Sequence, residues 1–144
     1  MNNFAKGLSK TKQSGKKRES IKRKEKSRLK KLKEEAWKLM SLYVRARDKE
    51  CFTCGGQVQH AGHWRHGVCD YGEWNIHAQC LKCNYFLSGD GVKYTMKMIE
   101  LYGLEKVREF EKLADRNKGY RYKAAELERT IKEIEEKIND LYEQ

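Results

Sequence analysis

The sequence predicts a mainly α-helical protein in which helices flank a small segment held together by zinc. The chain has 144 residues, 37% of them charged, and contains no proline, which favours long helices over a strand-rich sandwich. Two C-x-x-C pairs enclose a segment rich in Cys, His, Gly and aromatic residues. Apolar residues recur at helical spacing on both sides of that segment. A chain of this length has room for one hydrophobic core.

The amino-terminal third carries the whole excess of positive charge. Residues 1–50 contain 18 Lys and Arg against 6 Asp and Glu, whereas residues 51–144 contain 14 against 15. Such a block is typical of nucleic-acid-binding proteins, because each cation near a phosphate displaces condensed counterions. The alternative is a solubilising tail.

Within this block we predict two segments. Residues 1–19 are rich in Lys, Ser and Gly with few apolar positions, so we expect a flexible basic arm that binds DNA. Residues 20–50 are predicted to form a basic helix, because apolar residues recur at steps of three and four. The candidate phosphate contacts of the block are Lys10, Lys12, Lys16, Lys17, Arg18, Lys22, Arg23 and Lys24.

Residues 51–116 are predicted to contain the zinc-bound domain and two following helices, with a break near Gly103. The pairs Cys51/Cys54 and Cys80/Cys83 each place two thiolates on one side of a tight turn, and together they complete a tetrahedron around a structural zinc. A redox C-x-x-C pair would leave the second pair unexplained. Cys69 is interpreted as a bystander.

The polar chemistry of the chain is concentrated between the two cysteine pairs. All its histidines, namely His60, His63, His66 and His77, lie within 18 residues there. Such clustering favours a catalytic site over a zinc finger that only binds.

Residues 117–144 are predicted to form an amphipathic helix. Its apolar seam repeats at steps of four and three and consists of Tyr120, Ala124, Leu127, Ile131, Ile134, Ile138 and Leu141. This seam predicts either a coiled-coil homodimer or a helix that packs on its own domain.

Four motifs then occur in a characteristic order: Cys51-Phe-Thr-Cys54, Gly62-His63-Trp64, Asn75-Ile76 and Cys80-Leu-Lys-Cys83-Asn84. This order resembles the zinc-bearing HNH endonucleases of the His-Me finger superfamily, which implies a treble-clef-like ββα-metal motif. Further stretches, at 61–64, 75–80, 88–91 and 102–107, resemble the phage NinG (Rap) family of recombination endonucleases. The resemblance covers about residues 29–115. A looser similarity is to the phage endonuclease VII resolvases.

The resemblance implies a metal-dependent endonuclease that cleaves branched DNA such as Holliday junctions and D-loops. It implies that His63 is the general base, that Asn84 binds a catalytic Mg²⁺ or Mn²⁺, and that Asn75 holds the loop that aims His63. A neutral imidazole can take a proton from water at physiological pH. We expect His63 and Asn84 to converge on one cation. Lys82 and Lys93 are further candidate DNA contacts.

One position departs from the family pattern. Many HNH enzymes carry an acidic metal ligand just before the base, where this chain has Gly62. The candidates for the missing ligand are His60, Asp70, Glu73 and His77. Two alternative functions stay open: a non-catalytic zinc module that binds nucleic acid, and an HNH nicking or homing enzyme that reads a sequence.

The amino terminus is polar and lacks the apolar segment of a signal peptide, and no stretch approaches membrane-spanning length. We therefore expect a location in the cytoplasm of the bacterial host, no membrane partner and no organic cofactor.

Overall fold

The computed structural model of the chain describes residues 4–143, with side chains from residue 14 onward. Its main elements are α1 (Phe4–Arg47), β1 (His60–His63), β2 (Ile76–Gln79), α2 (Gly91–Tyr102), α3 (Leu104–Arg116) and α4 (Ala124–Tyr142). A 3-10 turn (Glu73–Asn75) precedes β2 and a π-helical turn (Lys82–Phe86) follows it. The expectation of a mainly helical protein with a small central motif is confirmed.

Helix α1 is longer than the sequence pattern predicts. It begins at Phe4 and continues without a break to Arg47, so the predicted boundary between residues 19 and 20 is not a boundary of secondary structure. The physical reason is that Lys, Arg, Glu and Ala favour helix and no proline interrupts them. Side chains 14–28 are all exposed. Lys10 and Lys12 lie outside the residues whose side chains are described.

Helix α4 lies along α1 of the same chain. Leu127 and Ile131 pack with Ala36, and Ile134 packs with Met40 in the neighbouring cluster. The seam thus supports the interpretation of a helix packed on its own domain. Because this packing buries Leu127, Ile131 and Ile134, the middle of the seam is not available to the predicted homodimer. Dimerisation stays a prediction without support from these residues.

The central sheet consists of β1 and β2, which are antiparallel. The cross-strand pairs are His60 with Gln79, Ala61 with Ala78, Gly62 with His77, and His63 with Ile76. Because side chains alternate along a strand, one face carries Ala61, His63, Ile76 and Ala78. The other face carries His60, Gly62, His77 and Gln79. Ala61, Ile76 and Ala78 pack on α1 in one apolar cluster, so the first face is covered by α1.

Helices α2 and α3 form a second apolar cluster beside the sheet. Tyr94 and Met98 of α2 pack with Trp64 and Val107. Gly103 separates the two helices with a φ of 83°, a left-handed conformation that glycine adopts readily. The predicted break near Gly103 is confirmed. None of the helices within residues 4–143 is long and apolar enough to span a membrane.

Candidate metal sites

The four predicted zinc ligands meet in one place. The sulfur atoms of Cys51, Cys54, Cys80 and Cys83 all lie within 4.8 Å of one another. The sulfurs of Cys54 and Cys80 are 3.7 Å apart, and tetrahedral zinc with bonds of about 2.3 Å requires sulfurs about 3.8 Å apart. The cluster therefore has the geometry and the donor set of a structural zinc site. Cys69, the fifth cysteine, is not part of it.

The first cysteine pair lies in a tight turn that depends on glycine. The Gly55 N–H donates to the Cys51 carbonyl oxygen at 2.8 Å, and Gly55 adopts a φ of 73°, which favours glycine. A side chain on Gly56 would come within 3.3 Å of the Cys54 sulfur. The two glycines thus let the backbone fold closely around the thiolates.

His63 lies at the end of β1 against α1. Its ring stacks on Trp37, with the centroids 4.7 Å apart and the planes 18° apart. Its Nε2 atom lies 3.0 Å from the main-chain oxygen of Asp70. A carbonyl oxygen can only accept, so Nε2 carries the proton and Nδ1 is the basic nitrogen of the neutral ring. Burial lowers the pKa of His63 below its ordinary value, which favours this neutral form at pH 7.

Asn75 is fully buried and binds the loop that follows His63. Its side-chain oxygen accepts the Arg65 N–H at 2.8 Å. Its amide nitrogen donates to the carbonyl oxygens of Arg65 and Val68, each at 2.9 Å. These bonds fix the main chain immediately after His63.

Gly62 faces two carboxamide oxygens on the other side of the sheet. A Cβ atom added to Gly62 would lie 2.9 Å from Asn84 Oδ1 and would overlap Gln79 Oε1. Gln79 is fully buried, and its Oε1 has no hydrogen-bond partner within the described residues. Gln79 is not among the site residues predicted from the sequence. The alternation of His77 and Gln79 along β2 places both polar side chains on one face, but only the register with β1 shows that Gly62 lies on that face.

The expected convergence of His63 and Asn84 on one cation is not observed. His63 lies on the sheet face covered by α1, whereas Asn84 approaches the opposite face at Gly62. The physical reason is the alternation of neighbouring side chains along β1. The two groups lie on either side of the same short strand.

The structure separates the candidates for the missing acidic ligand. His60 lies on the face of Gly62, two residues away along β1. Asp70 provides its main-chain oxygen to His63. Glu73 accepts a hydrogen bond from the Tyr43 hydroxyl at 2.8 Å and pairs with Lys137, so its carboxylate belongs to the contact of α1 with α4.

His77 is enclosed among aromatic side chains. Its ring stacks on Phe52 at 3.9 Å, its Nδ1 lies 3.0 Å from the Tyr94 hydroxyl, and its Nε2 lies 3.3 Å from the Tyr102 hydroxyl. Burial, together with the charge of Arg47, lowers the pKa of His77 to about 4. Both ring nitrogens are engaged, so the prediction of His77 as a metal ligand is not supported by its contacts.

Basic and apolar side chains surround the Asn84 side of the sheet. Lys82 and Lys93 are exposed, and Lys93 lies 3.5 Å from the Asp90 carboxylate. The neighbouring Tyr85 and Phe86 are about 70% exposed, at 72% and 70%. Farther away, residues 14–28 of α1 carry eight Lys and Arg against two Glu, and this group includes all the predicted phosphate contacts from Lys16 to Lys24.

Comparisons with known proteins identify a family and several relatives of this chain. The family profile described as "Bacteriophage Lambda NinG protein" matches residues 2–144. The protein is 31% identical over 116 residues to "Protein ninG" of Salmonella phage P22 and to that of Escherichia phage lambda. Each match covers 74% of this chain and 56% or 55% of the relative, so the chain spans about half the length of these relatives. No solved structure matches the chain.

Proposed function

The chain belongs to the NinG family, and on that premise we propose that it is a metal-dependent HNH endonuclease that hydrolyses phosphodiesters in branched DNA. The observation that carries the proposal is the state of His63. A half-buried imidazole donates its Nε2–H to a main-chain oxygen and thereby presents Nδ1 as a proton acceptor. This is the arrangement that a general base requires.

In this proposal His63 takes a proton from the attacking water through Nδ1. Trp37 holds one face of the ring, and the loop that carries Asp70 holds Nε2. Asn75 fixes the beginning of that loop through Arg65. The tautomer and direction of the imidazole are thus set before a substrate binds, which reduces the reorganisation that proton transfer requires.

The face of Gly62 fits a catalytic divalent cation. Two carboxamide oxygens, Gln79 Oε1 and Asn84 Oδ1, approach Gly62 so closely that a Cβ could not be accommodated, and the first of them is buried without a partner within the described residues. Oxygen is the donor that Mg²⁺ and Mn²⁺ prefer. Asn84 would hold the ion here. A bound cation would offset the negative charge that develops on the phosphate and on the leaving oxygen.

The separation of His63 from Asn84 is compatible with hydrolysis. In an in-line displacement the attacking water and the leaving oxygen lie on opposite sides of phosphorus. A base and a cation that serve these two oxygens must therefore stand apart, with the phosphate between them. We propose that the phosphate lies across the end of β1, where His63 and Gly62 are adjacent in the chain.

The second cysteine pair of the zinc cluster lies next to Asn84 in the chain. Cys80 follows β2 directly, and Cys83 immediately precedes Asn84. A zinc ion that binds both thiolates fixes the π-helical turn relative to the sheet. We infer that the zinc positions Asn84 and takes no part in hydrolysis, since four thiolates fill its coordination sphere.

A cleavage assay tests the proposal. We expect the zinc-loaded protein with Mg²⁺ or Mn²⁺ to cut a four-way junction in preference to a linear duplex of the same sequence, and to stop when a chelator removes the added ion. His63→Ala is expected to lower the rate by about 10²–10⁴-fold. His66→Ala is the matched control, because its ring lies 5.8 Å from that of His63 and is exposed. Equal losses in both variants would contradict the role of His63.

The pH dependence gives a second readout on His63. A general base works in its neutral form, so the rate rises as the pH rises through its pKa. Because burial lowers that pKa below 6.5, we expect the rising limb of kcat/KM to have its midpoint below pH 6.5. If the rise of kcat/KM with pH had its midpoint above pH 7, the general base would be a group other than His63.

Two other functions remain as outcomes of the same assays. The absence of an acidic side chain at Gly62 favours a non-catalytic zinc module. DNA binding without metal-dependent cleavage of any DNA shape would establish that alternative. Sequence-dependent cutting of linear duplex as fast as junction would instead indicate a nicking or homing enzyme.

The basic half of α1 is proposed to bind DNA phosphates. Deleting residues 1–19 removes Lys10, Lys12, Lys16, Lys17 and Arg18 and is expected to flatten the dependence of DNA affinity on salt, because each lost phosphate contact lowers the slope by about one. Fluorescence anisotropy at several salt concentrations measures that slope. An unchanged slope would show that this segment does not contact DNA.

A further inference from the structure

We propose that Gln79 is a ligand of the divalent cation and replaces the acidic ligand that is absent at Gly62. This inference rests on the proposed function in one respect, namely that the ion is the catalytic one. The binding of an ion by Gln79 and Asn84 is a separate claim with its own readout. The site is distinct from the four-cysteine cluster, although the two share a segment of chain.

The Gln79 side chain is held in one orientation. Its Nε2 donates to the Gly89 carbonyl oxygen at 2.9 Å and contacts Thr53 Oγ1 at 3.3 Å. Because a carbonyl oxygen only accepts, the amide nitrogen must point toward Gly89. The amide oxygen is thereby directed away from Gly89 and toward Gly62.

This oxygen is buried without a partner. Gln79 is 0% exposed, and its Oε1 makes no hydrogen bond within the described residues. The other buried side-chain atom of this kind there is Asp90 Oδ2, which has Lys93 Nζ at 3.5 Å. A buried acceptor without a partner destabilises a fold, so Gln79 Oε1 requires either a bound ion or a bound water.

The surroundings of this oxygen favour an ion. Asn84 Oδ1 also approaches Gly62 closely, so two acceptor oxygens lie beside the same glycine. Two acceptors cannot satisfy each other, whereas a cation satisfies both. Mg²⁺ and Mn²⁺ are bound by few protein oxygens and complete their shell with water and substrate phosphate.

Glycine at position 62 follows from this arrangement. Any side chain there would overlap Gln79 Oε1 and come within 2.9 Å of Asn84 Oδ1. The acidic ligand expected on β1 would occupy the space that the Gln79 amide fills from β2. Gln79 on β2 thus supplies the ligand that a side chain at position 62 of β1 would otherwise provide.

The main chain that holds Gln79 has an unusual conformation. Ser88, Gly89 and Asp90 all adopt left-handed φ angles, at 49°, 88° and 51°. Two of them are not glycine, and such residues in this region carry strain. The run presents the Gly89 carbonyl to Gln79 Nε2, and so the strained segment fixes the direction of Oε1.

Paramagnetic relaxation by Mn²⁺ tests the inference without any cleavage. The full-length zinc-loaded protein is labelled with ¹⁵N and titrated with Mn²⁺. We expect the side-chain amide signals of Gln79 and Asn84 to broaden at the lowest Mn²⁺ concentrations. Gln57, which is exposed, and Gln59, whose oxygen already accepts the Leu81 N–H at 2.8 Å, are internal controls. Equal broadening of all four signals, or none at Gln79, would overturn the inference; the latter would assign a water to the site.

Three variants sharpen the assignment. Gly62→Ala places a methyl group against both oxygens and Gln79→Met removes one of them, and each is expected to raise the Mn²⁺ concentration that broadens Asn84 by at least about tenfold. Gln79→Glu is expected to lower this Mn²⁺ concentration, since a carboxylate is the better ligand. Gln57→Glu is the control, because it adds the same charge outside the site.

Zinc content and the backbone spectrum show whether each variant is folded. If a variant fails to fold, the wild-type titration decides the question. Unchanged Mn²⁺ dependence of Asn84 in folded Gln79→Met would contradict the proposal.

The two proposals fail separately. Selective broadening of Gln79 and Asn84 in a protein that cuts no DNA would refute the endonuclease and leave the ion site. Metal-dependent cleavage by a protein in which Mn²⁺ leaves Gln79 unaffected would support the endonuclease and refute the ligand.

Discussion

The two faces of the β1–β2 sheet are built from alternate residues of the same eight positions, yet different forces stabilise them. The face toward α1 is apolar apart from His63 and packs against Met40, Tyr43 and Val44. The face of Gly62 is polar and depends on hydrogen bonds from His77 and Gln79 and on the neighbouring cysteine cluster. Packing thus holds one side in place, whereas the other side carries buried polar groups next to four cysteines that can hold a metal ion.

Removal of zinc is expected to have the largest effect and to separate the two faces. Structural zinc contributes about 10–16 kcal/mol of apparent binding free energy in small domains. With a chelator, or in Cys83→Ala, we expect residues 51–90 to lose their dispersed ¹H–¹⁵N signals while the helical circular dichroism of α1 and α4 largely persists. An unchanged spectrum of residues 51–90 would show that packing alone holds the polar face.

Ile76→Ala tests the apolar face. Ile76 is 0% exposed, and the cavity left by its side chain is expected to lower the free energy of unfolding by about 3 kcal/mol. Chemical denaturation measures the change. Val92→Ala is the control, because Val92 is 76% exposed and its truncation should change stability by no more than about 0.5 kcal/mol. If both substitutions lowered the free energy of unfolding by similar amounts, burial at the apolar face would not be what stabilises this side of the sheet.

The polar face is expected to weaken in acid through His77. Its pKa is lowered to about 4 in the folded protein, so the unfolded chain binds the proton first as the pH falls below 6.5. Stability is therefore present above pH 6.5 and is lost toward pH 4, by about 2 kcal/mol between pH 7 and pH 5. Denaturation of the wild type and His77→Gln at both pH values measures this, with zinc content followed in parallel. The same loss in His77→Gln would point to another group.

Tyr43→Phe is expected to have the smallest effect. It removes the hydrogen bond from the Tyr43 hydroxyl to Glu73 on the apolar side and should lower the free energy of unfolding by about 1 kcal/mol. Thermal denaturation of the folded variant measures the shift. A loss as large as that of Ile76→Ala would show that the α1 side also depends on its polar contacts.

The sequence predicts the zinc ligands and the helical class because both depend on local spacing. Two C-x-x-C pairs indicate a tetrahedral metal site whatever the path of the chain between them. The apolar periodicity of a helix can likewise be recognised without knowing which element packs against it. The loop role of Asn75 came from family resemblance and stays a prediction, although the side chain does bind that loop.

The rest of the site could not be predicted because it depends on strand register. The separation of His63 from Asn84, and the meeting of Gln79 with Gly62, follow from which residues of β1 and β2 share a face. A shift of one residue would exchange the faces, and no local pattern fixes that shift. The start of α1 was missed for a different reason, since its first turns lack the apolar stripe that marks a packed helix.

Helix α1 unites two parts of the molecule that the sequence pattern had divided. One uninterrupted helix carries both the exposed, positively charged half and Trp37, which lies against His63. Between these two parts α4 packs on α1 at Ala36, so the helix is held against the domain immediately before Trp37. The basic half thus projects beyond a fixed part of the helix, and the contact of Trp37 with His63 is set by packing within the domain.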